Sequence, residues 1–442
     1  MITAGVDVFR LNLAHAEPSD HERAAGTVRE QAVEAGRIVA LLADLPGPKI
    51  RSGPVADGQV TLEAGDSLIV TTDAIDGDET RISTSLQELP ECVGPGDEMF
   101  LADGEIVLRV ESVATREVVT EIVRGGVLRS RKGMHVPGAE SRVEVFANSD
   151  RAALELAVKL RVDYVGLSFM RRDEDVRRVR SELPALDPPP MLVAKIETRS
   201  AVENLAGIVR EADAVMVARG DLGIQTPITR VPILQKEIIR ACNADATPVI
   251  TATQMLESMT ESPIPTRAEV ADVANAVVDG TDALMLSEET AIGRFPVAAV
   301  ETMAATAEHA EAWPRERTAP ITTELGADPV SWAVARAAGE VAADVEAAAI
   351  VCPTESGATP RRVAAFRPSR PVIGVTRKAR VAAALALVWG VIPIVAQSED
   401  ARGSVAEAVS KGVVGSGDLV VVVAGTPGVR AARTDYVRVV RV

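Results

Sequence analysis

Lys195 and Glu197 stand two residues apart at the end of the apolar run MLVAKIE. On an extended strand such residues point the same way, so an ammonium and a carboxylate share one face. That pair suits a phosphate or an enolate, with the lysine as a point charge and the glutamate as a metal ligand. A second run, ADAVMVARGD, ends in Arg219, Gly220 and Asp221. Gly220 lets the backbone come close to a ligand, and Asp221 adds a second hard oxygen. Mg²⁺ takes one or two carboxylates and fills its shell with water and substrate oxygens, so Glu197 and Asp221 form a candidate pair for Mg²⁺ or Mn²⁺. The same residue types fit a plain salt bridge from Lys195 at a strand end equally well.

Three further stretches carry charge at the ends of apolar runs. In FRLN, Arg10 and Asn12 share a face. In ADLPGPKIRSG, Asp44 ends a run and a Pro/Gly turn then carries Lys49 and Arg51. Arginine's planar fork matches phosphate oxygens, but both cations also fit a solvated surface. In TATQMLESM, Thr253 is a candidate proton relay or a helix cap. Together these residues describe an anionic substrate, a divalent metal and phosphoryl or enolate chemistry.

Composition narrows the classes. The 442 residues are 47% hydrophobic and 25% charged, with a net charge of −16 and only 2% aromatics. A basic stripe or an aromatic platform for nucleic acid is not expected. Cys92, Cys242 and Cys352 are far apart, and the histidines lack metal-ligand spacing, which fits a reducing compartment and no disulfide framework. The longest apolar run, residues 381–396, is interrupted by Gly390 and Pro393 and falls short of the ~20 residues of a membrane span. No signal-peptide pattern opens the chain, so a cytoplasmic protein is expected.

The elements that must position these residues follow from the rhythm of the chain. Apolar runs at 162–169, 191–197, 212–221, 247–254 and 282–290 alternate with amphipathic patterns near 150–161, 173–182, 198–210, 231–244 and 266–279. Two more runs, 6–12 and 37–44, come first. Such alternation predicts a parallel sheet covered by helices, and in a (β/α)8 TIM barrel the strands' C-terminal rim is the active-site face. Seven runs are present where a closed barrel of this class has eight. Period-two segments within 47–138 predict an all-β lid domain inserted at that rim. A Pro/Thr-rich linker after Glu311 leads to a C-terminal α/β domain over 322–442, which leaves 1–46 and 139–315 to the barrel.

The segments FRLNLAH, LADLPGPKIRSG, AKIET, VMVARGDLGI, PVITATQMLESM, PTRAEVADVANAVVDGTDALMLSEETA and TESGATPRRVAAFRPSRPVIGVT, in this order, resemble pyruvate kinases. The resemblance runs the length of the chain. It implies a glycolytic, Mg²⁺-dependent phosphotransferase acting on phosphoenolpyruvate and ADP, in the family's fold of barrel, β lid and α/β domain, and a homotetramer. It implies that Glu197 and Asp221 hold the metal, that Lys195 stabilises the phosphoryl and the enolate, and that Arg10 and Arg51 contact phosphates. It further implies that the backbone at Arg219, Gly220 and Asp221 receives the substrate carboxylate, and that Thr253 joins the relay protonating enolpyruvate.

Departures from the family pattern carry their own expectations. In the monovalent-cation region Asn12 and Asp44 remain, but Ala14 and Leu45 replace a serine and a threonine. Lys49 stands where K⁺-dependent members carry a glutamate, so its ammonium is expected to replace K⁺. Glu288, in SEET, adds a negative charge near the nucleotide side. Thr354, Ser356, Gly357 and Thr359 form a loop at a helix start that suits a phosphorylated effector or a plain cap. The family's first strand is missing, and a chain continuing upstream of Met1 is favoured over a barrel closed with fewer strands, because a gap exposes two strand edges. Two other functions fit the same residues: a paralogue acting on another phosphoenol or 2-oxo acid, and a catalytically weak regulatory or binding homologue.

Overall fold

The computed structural model describes residues 1–48, 50–102, 104–137, 139, 144–186, 188–313, 328–397, 400–426 and 434–442. Its largest sheet has seven parallel strands in sequential order: β1 (Val8–Asn12), β2 (Ala40–Asp44), β3 (Tyr164–Leu167), β4 (Met191–Ile196), β5 (Ala214–Ala218), β6 (Val249–Ala252) and β7 (Ala283–Leu284). Alternate residues divide between two cores. Leu41, Ala43, Val165, Leu192, Ala194, Val215 and Val217 pack outward against the helices. Leu42, Tyr164, Val193, Met216 and Ile250 meet in a second cluster, with Val8 of β1 and Ala283 of β7 against it. One cluster shared by strands at both ends of the order requires the sheet to curl around it. The inner face therefore carries residues in phase with Val8, Leu42 and Val193, which include Arg10, Asn12, Asp44 and Lys195.

The expected run 212–221 is strand only to Ala218, and Arg219–Gln225 is helical. The run 282–290 contributes only Ala283–Leu284 to the sheet and turns helical at Glu288–Ala291. In both places the polar end of the run leaves the buried ladder and turns over the rim.

At the opposite end of the strands an unforeseen repeat appears. Asp163, Asp213 and Asp282 each stand just before a strand. Each accepts a backbone N–H from the preceding strand, from Leu41 (2.8 Å), Leu192 (2.9 Å) and Val249 (2.9 Å) respectively. Each aspartate's own N–H donates back to the carbonyl of that same residue. In the sequence this repeat is only the aspartate of VDYV, ADAV and TDAL, which reads as loop polarity.

Between β2 and β3 a six-stranded sheet built within 67–135, with a two-stranded pair beside it, encloses its own core of Leu68, Val70, Ile82, Met99, Ile106 and Leu108. This β unit meets the barrel where Gln225 Nε2 donates to His135 Nδ1 at 3.0 Å. The C-terminal sheet is ordered Val391–Val395, Val372–Thr376, Ala349–Pro353, Leu419–Ala424 and Tyr436–Arg441, the last strand antiparallel, with a core on each face. Its Ala383, Ala384 and Leu387 complete the inner barrel cluster from the strands' N-terminal end. There Tyr164 donates its hydroxyl to Ala384 O at 2.6 Å. Most of the sequence-predicted linker lies outside the described residues.

Candidate active site

The C-terminal ends of β1 to β4 contribute to one charged cluster. Lys195 is only 8% exposed, yet its ammonium lies 2.8 Å from Glu197 Oε1 and 3.3 Å from Asp44 Oδ1, and it donates to Ser168 Oγ at 2.9 Å. Burial would lower its pKa, but the two carboxylates outweigh burial and raise it, so the ammonium stays charged. Arg10 reaches Asp44 Oδ2 through Nε (2.8 Å) and Nη2 (2.5 Å). Burial alone would raise Asp44; Lys195 and Arg10 together hold its carboxyl below the usual range. Gly166 makes room for this pairing, since a Cβ there would stand 2.8 Å from Asp44 Oδ1.

Glu197 is fully buried, and its Oε2 accepts the Phe169 N–H at 2.7 Å. Burial pushes its pKa up, Lys195 pulls it back, and the Asp221 charge pushes it up again, leaving it raised. Its other oxygen, Oε1, lies near the lysine but has no aligned hydrogen-bond donor. A buried carboxylate oxygen with a spare lone pair, beside a second carboxylate that repels it, fits a divalent cation. Two cations face three carboxylates (Asp44, Glu197 and Asp221), and a divalent ion would turn this excess into a positive site for a phosphate.

The end of β6 is strained. Thr253 and Gln254 have φ of +70° and +53°, and Phe169 after β3 has +57°, costly conformations for side-chain-bearing residues. The bend aims Thr253 Oγ1 at Gly220: it accepts the Gly220 N–H at 2.9 Å and donates to Ala252 O at 2.6 Å. The Arg219 side chain turns away, to Asp272 (2.7 Å) and Thr253 O (2.7 Å), and so fastens the Arg219–Gln225 helix to the β6 loop. A cavity of about 1840 Å³ reaches Arg10, Asn12, Asp221, Thr253 and Glu288. A second, of about 110 Å³, runs from Phe100 and His135 of the β unit to Phe169 and Asp221.

Other expected residues stand apart. Arg51 lies in the β unit and donates to Arg131 O at 3.1 Å; no contact among the described residues joins it to Lys195. Lys49 lies outside the described residues. Asn12 Oδ1 accepts the Ala14 N–H at 3.2 Å. In the C-terminal unit Thr354 Oγ1 accepts the Gly357 N–H (2.9 Å), Gly357 precedes the Ala358–Ala365 helix, and the Thr359 and Thr434 hydroxyls are 2.7 Å apart. The helix itself has no side-chain cap at Gly357, and Ser356 is exposed beside it. Sequence reasoning missed Ser168 and the Phe169 amide, because neither carries a chemical signal until the fold sets it against Lys195 or Glu197.

Comparison with known proteins agrees along the whole chain. The family models "Pyruvate kinase, barrel domain" and "Pyruvate kinase, alpha/beta domain" match residues 1–300 and 332–440. A pyruvate kinase of Thermococcus litoralis is 40% identical, covering 100% of this chain and 94% of that one. One from Thermotoga maritima is 38% identical over 100% and 95%. The crystal structure of a pyruvate kinase from Cryptosporidium parvum superposes with a TM-score of 0.88 at 33% identity, covering 100% of this chain and 92% of that one.

Proposed function

The chain belongs to the pyruvate kinase family and is a phosphotransferase that passes the phosphoryl group of phosphoenolpyruvate to ADP, and we propose that it does so at the cluster around Lys195. The observation that carries this is the buried ammonium held between Asp44 and Glu197, with Glu197 Oε1 2.8 Å from that ammonium and without an aligned hydrogen-bond donor. Glu197 and Asp221 would hold Mg²⁺, or Mn²⁺, which when bound neutralises charge on the transferring phosphoryl.

The chain's own groups do the rest. Arg10 gives Nε and Nη2 to Asp44, which orients Nη1 for a phosphate oxygen. Lys195 stays protonated and stabilises charge first on the phosphoryl and then on the enolate left when its P–O bond breaks. Gly220's amide is taken by Thr253, so Asp221's amide is the one offered to the substrate carboxylate. Thr253 belongs to the path that delivers a proton to the enolate carbon; its hydroxyl hydrogen must leave Ala252 O to do so. Arg51 reaches a nucleotide phosphate only when the β lid brings it to the barrel.

K⁺ is not required in this reading. Asp44 is engaged by two protein cations, Asn12 Oδ1 is turned to a backbone amide, and Ala14 and Leu45 offer no side-chain oxygen. Lys49 supplies the remaining positive charge. The 354–359 loop takes a phosphorylated effector, Glu288 weakens nucleotide affinity, and the active form is a cytoplasmic homotetramer. No helix among the described residues is long and apolar enough to cross a membrane.

The test is pyruvate release from phosphoenolpyruvate and ADP with Mg²⁺, in K⁺ and in Tris buffers. Turnover unchanged in Tris supports the reading. A large stimulation by K⁺ sinks the cation argument, and no turnover in either buffer sinks the site assignment.

A further inference from the structure

We infer that Asp150 is the hinge pin of the lid, a positioning residue whose single carboxylate holds both chain crossings between barrel and β unit. The assignment of Lys195 and Glu197 as the site is the premise for its effect on catalysis.

The chain leaves the barrel after β2 through residues 45–48 and returns through 144–147 to the Asn148–Lys159 helix. Asp150 Oδ1 accepts the N–H of Gly47 on the outgoing crossing at 2.8 Å. Its Oδ2 accepts the N–H of Ala147 on the returning crossing at 3.1 Å. The second bond is an ordinary capping interaction, in which the third residue of a helix reaches back to the residue before it. The first is not, since it spans 103 residues.

Two other barrel helices carry an aspartate at the same position. Asp20 caps Glu17 and gives its second oxygen to Arg23, within its own helix. Asp175 caps Arg172 and Arg171, its immediate predecessors. Among the described residues, only Asp150 of the three binds a distant backbone, and it is 1% exposed.

The outgoing crossing rests on the site itself. Gly47 has φ +68°, and a Cβ there would stand 2.5 Å from Ser168 Cβ and 3.0 Å from the Phe169 ring. Ser168 Oγ donates to Leu45 O at 2.8 Å, and Leu45 N–H donates to Gly166 O at 3.0 Å. Ser168 is the hydroxyl on Lys195, and Phe169 gives the amide on Glu197. Movement of the lid root therefore reaches the lysine and the metal-side carboxylate through one packed step, with Asp150 as the fixed point.

Hydrogen exchange read by mass spectrometry on the unmodified protein tests the pin directly. The Gly47 and Ala147 amides should be protected to a similar degree and lose protection together. In Asp150→Ala both should exchange roughly tenfold faster or more. In Asp150→Asn, which keeps one acceptor oxygen, only one should. Unequal protection in the unmodified chain, or an unchanged Gly47 rate in Asp150→Ala, overturns the pin, and the first outcome needs no variant to fold.

Mn²⁺ titration followed by electron paramagnetic resonance gives the coupling to the site. Asp150→Asn should weaken Mn²⁺ severalfold at full stoichiometry, whereas a folding defect lowers stoichiometry without changing Kd. An unchanged Kd overturns the coupling. If the unmodified protein binds no Mn²⁺, the site assignment fails, and the exchange experiment still decides the pin.

Discussion

The ion pairs around Lys195 are buried, so each partner matters beyond its chemistry. Lys195→Met should lower kcat by about 10²–10³-fold or more, the scale of losing one preorganised electrostatic donor. It should also destabilise the chain by about 3 kcal/mol, because the buried Glu197 then loses its counter-charge while Asp44 keeps only Arg10; steady-state kinetics and urea titration read the two effects separately. Asp44→Asn should leave both cations without their shared counter-charge and weaken phosphoenolpyruvate binding through a displaced Arg10. Asp44 also sets an acid limit. Its carboxyl is held below the ordinary value of 3.8, so its stabilisation is complete above that value and is lost as pH falls through the lower folded one. An acid titration of Asp44→Asn should lack that part of the unfolding. At this scale the sequence was partly legible. Lys195 and Glu197 are two apart in one strand, and a strand's period brings them together. Asp44 is remote in the chain, and Ser168 sits in an apolar GLSF run, so nothing local announced their part in holding the lysine.

The lid and the barrel meet through elements whose type was readable and whose contact was not. Strand alternation announced the β unit, and Arg219-Gly220-Asp221 announced a turn. That those residues open a short helix ending at Gln225, against His135, follows only from docking. His135 stacks on Phe100 and accepts from Gln225. Burial lowers its pKa to about 4, so the docked ring is neutral. A proton taken up between about pH 6.5 and 4 is bound by the undocked or unfolded chain and not by the docked one. The docked state should then lose stability as pH falls through that window, by at most about 3 kcal/mol. His135→Gln should flatten the slope of melting temperature against pH between 6.5 and 4; an unchanged slope assigns the effect elsewhere.

Across the whole molecule, the strands' two ends serve different purposes. The candidate catalytic groups and the bends at Phe169, Thr253 and Gln254 lie at the C-terminal rim, while the aspartates and the C-terminal unit hold the other end. Arg367 ties that unit to Asp282 at 2.9 Å, lies 5.0 Å from the Trp389 ring, and is nearly buried. Arg367→Ala should cost about 3 kcal/mol and appear in calorimetry as an earlier transition of the C-terminal unit, with the barrel transition less affected. The three-part organisation was legible from rhythm alone. The joints were not, because an arginine in FRPSRP looks like any surface charge until its partner is in place.

The row of aspartates has one more consequence. Whatever else it binds, each takes one amide from the strand beside it and returns one to the same residue. Alignment is therefore checked locally, pair by pair, as a proofreading step that no distant strand needs to confirm. A slip at one seam breaks that seam's two bonds and leaves the other seams in step, so mistakes in assembling the barrel stay where they are made.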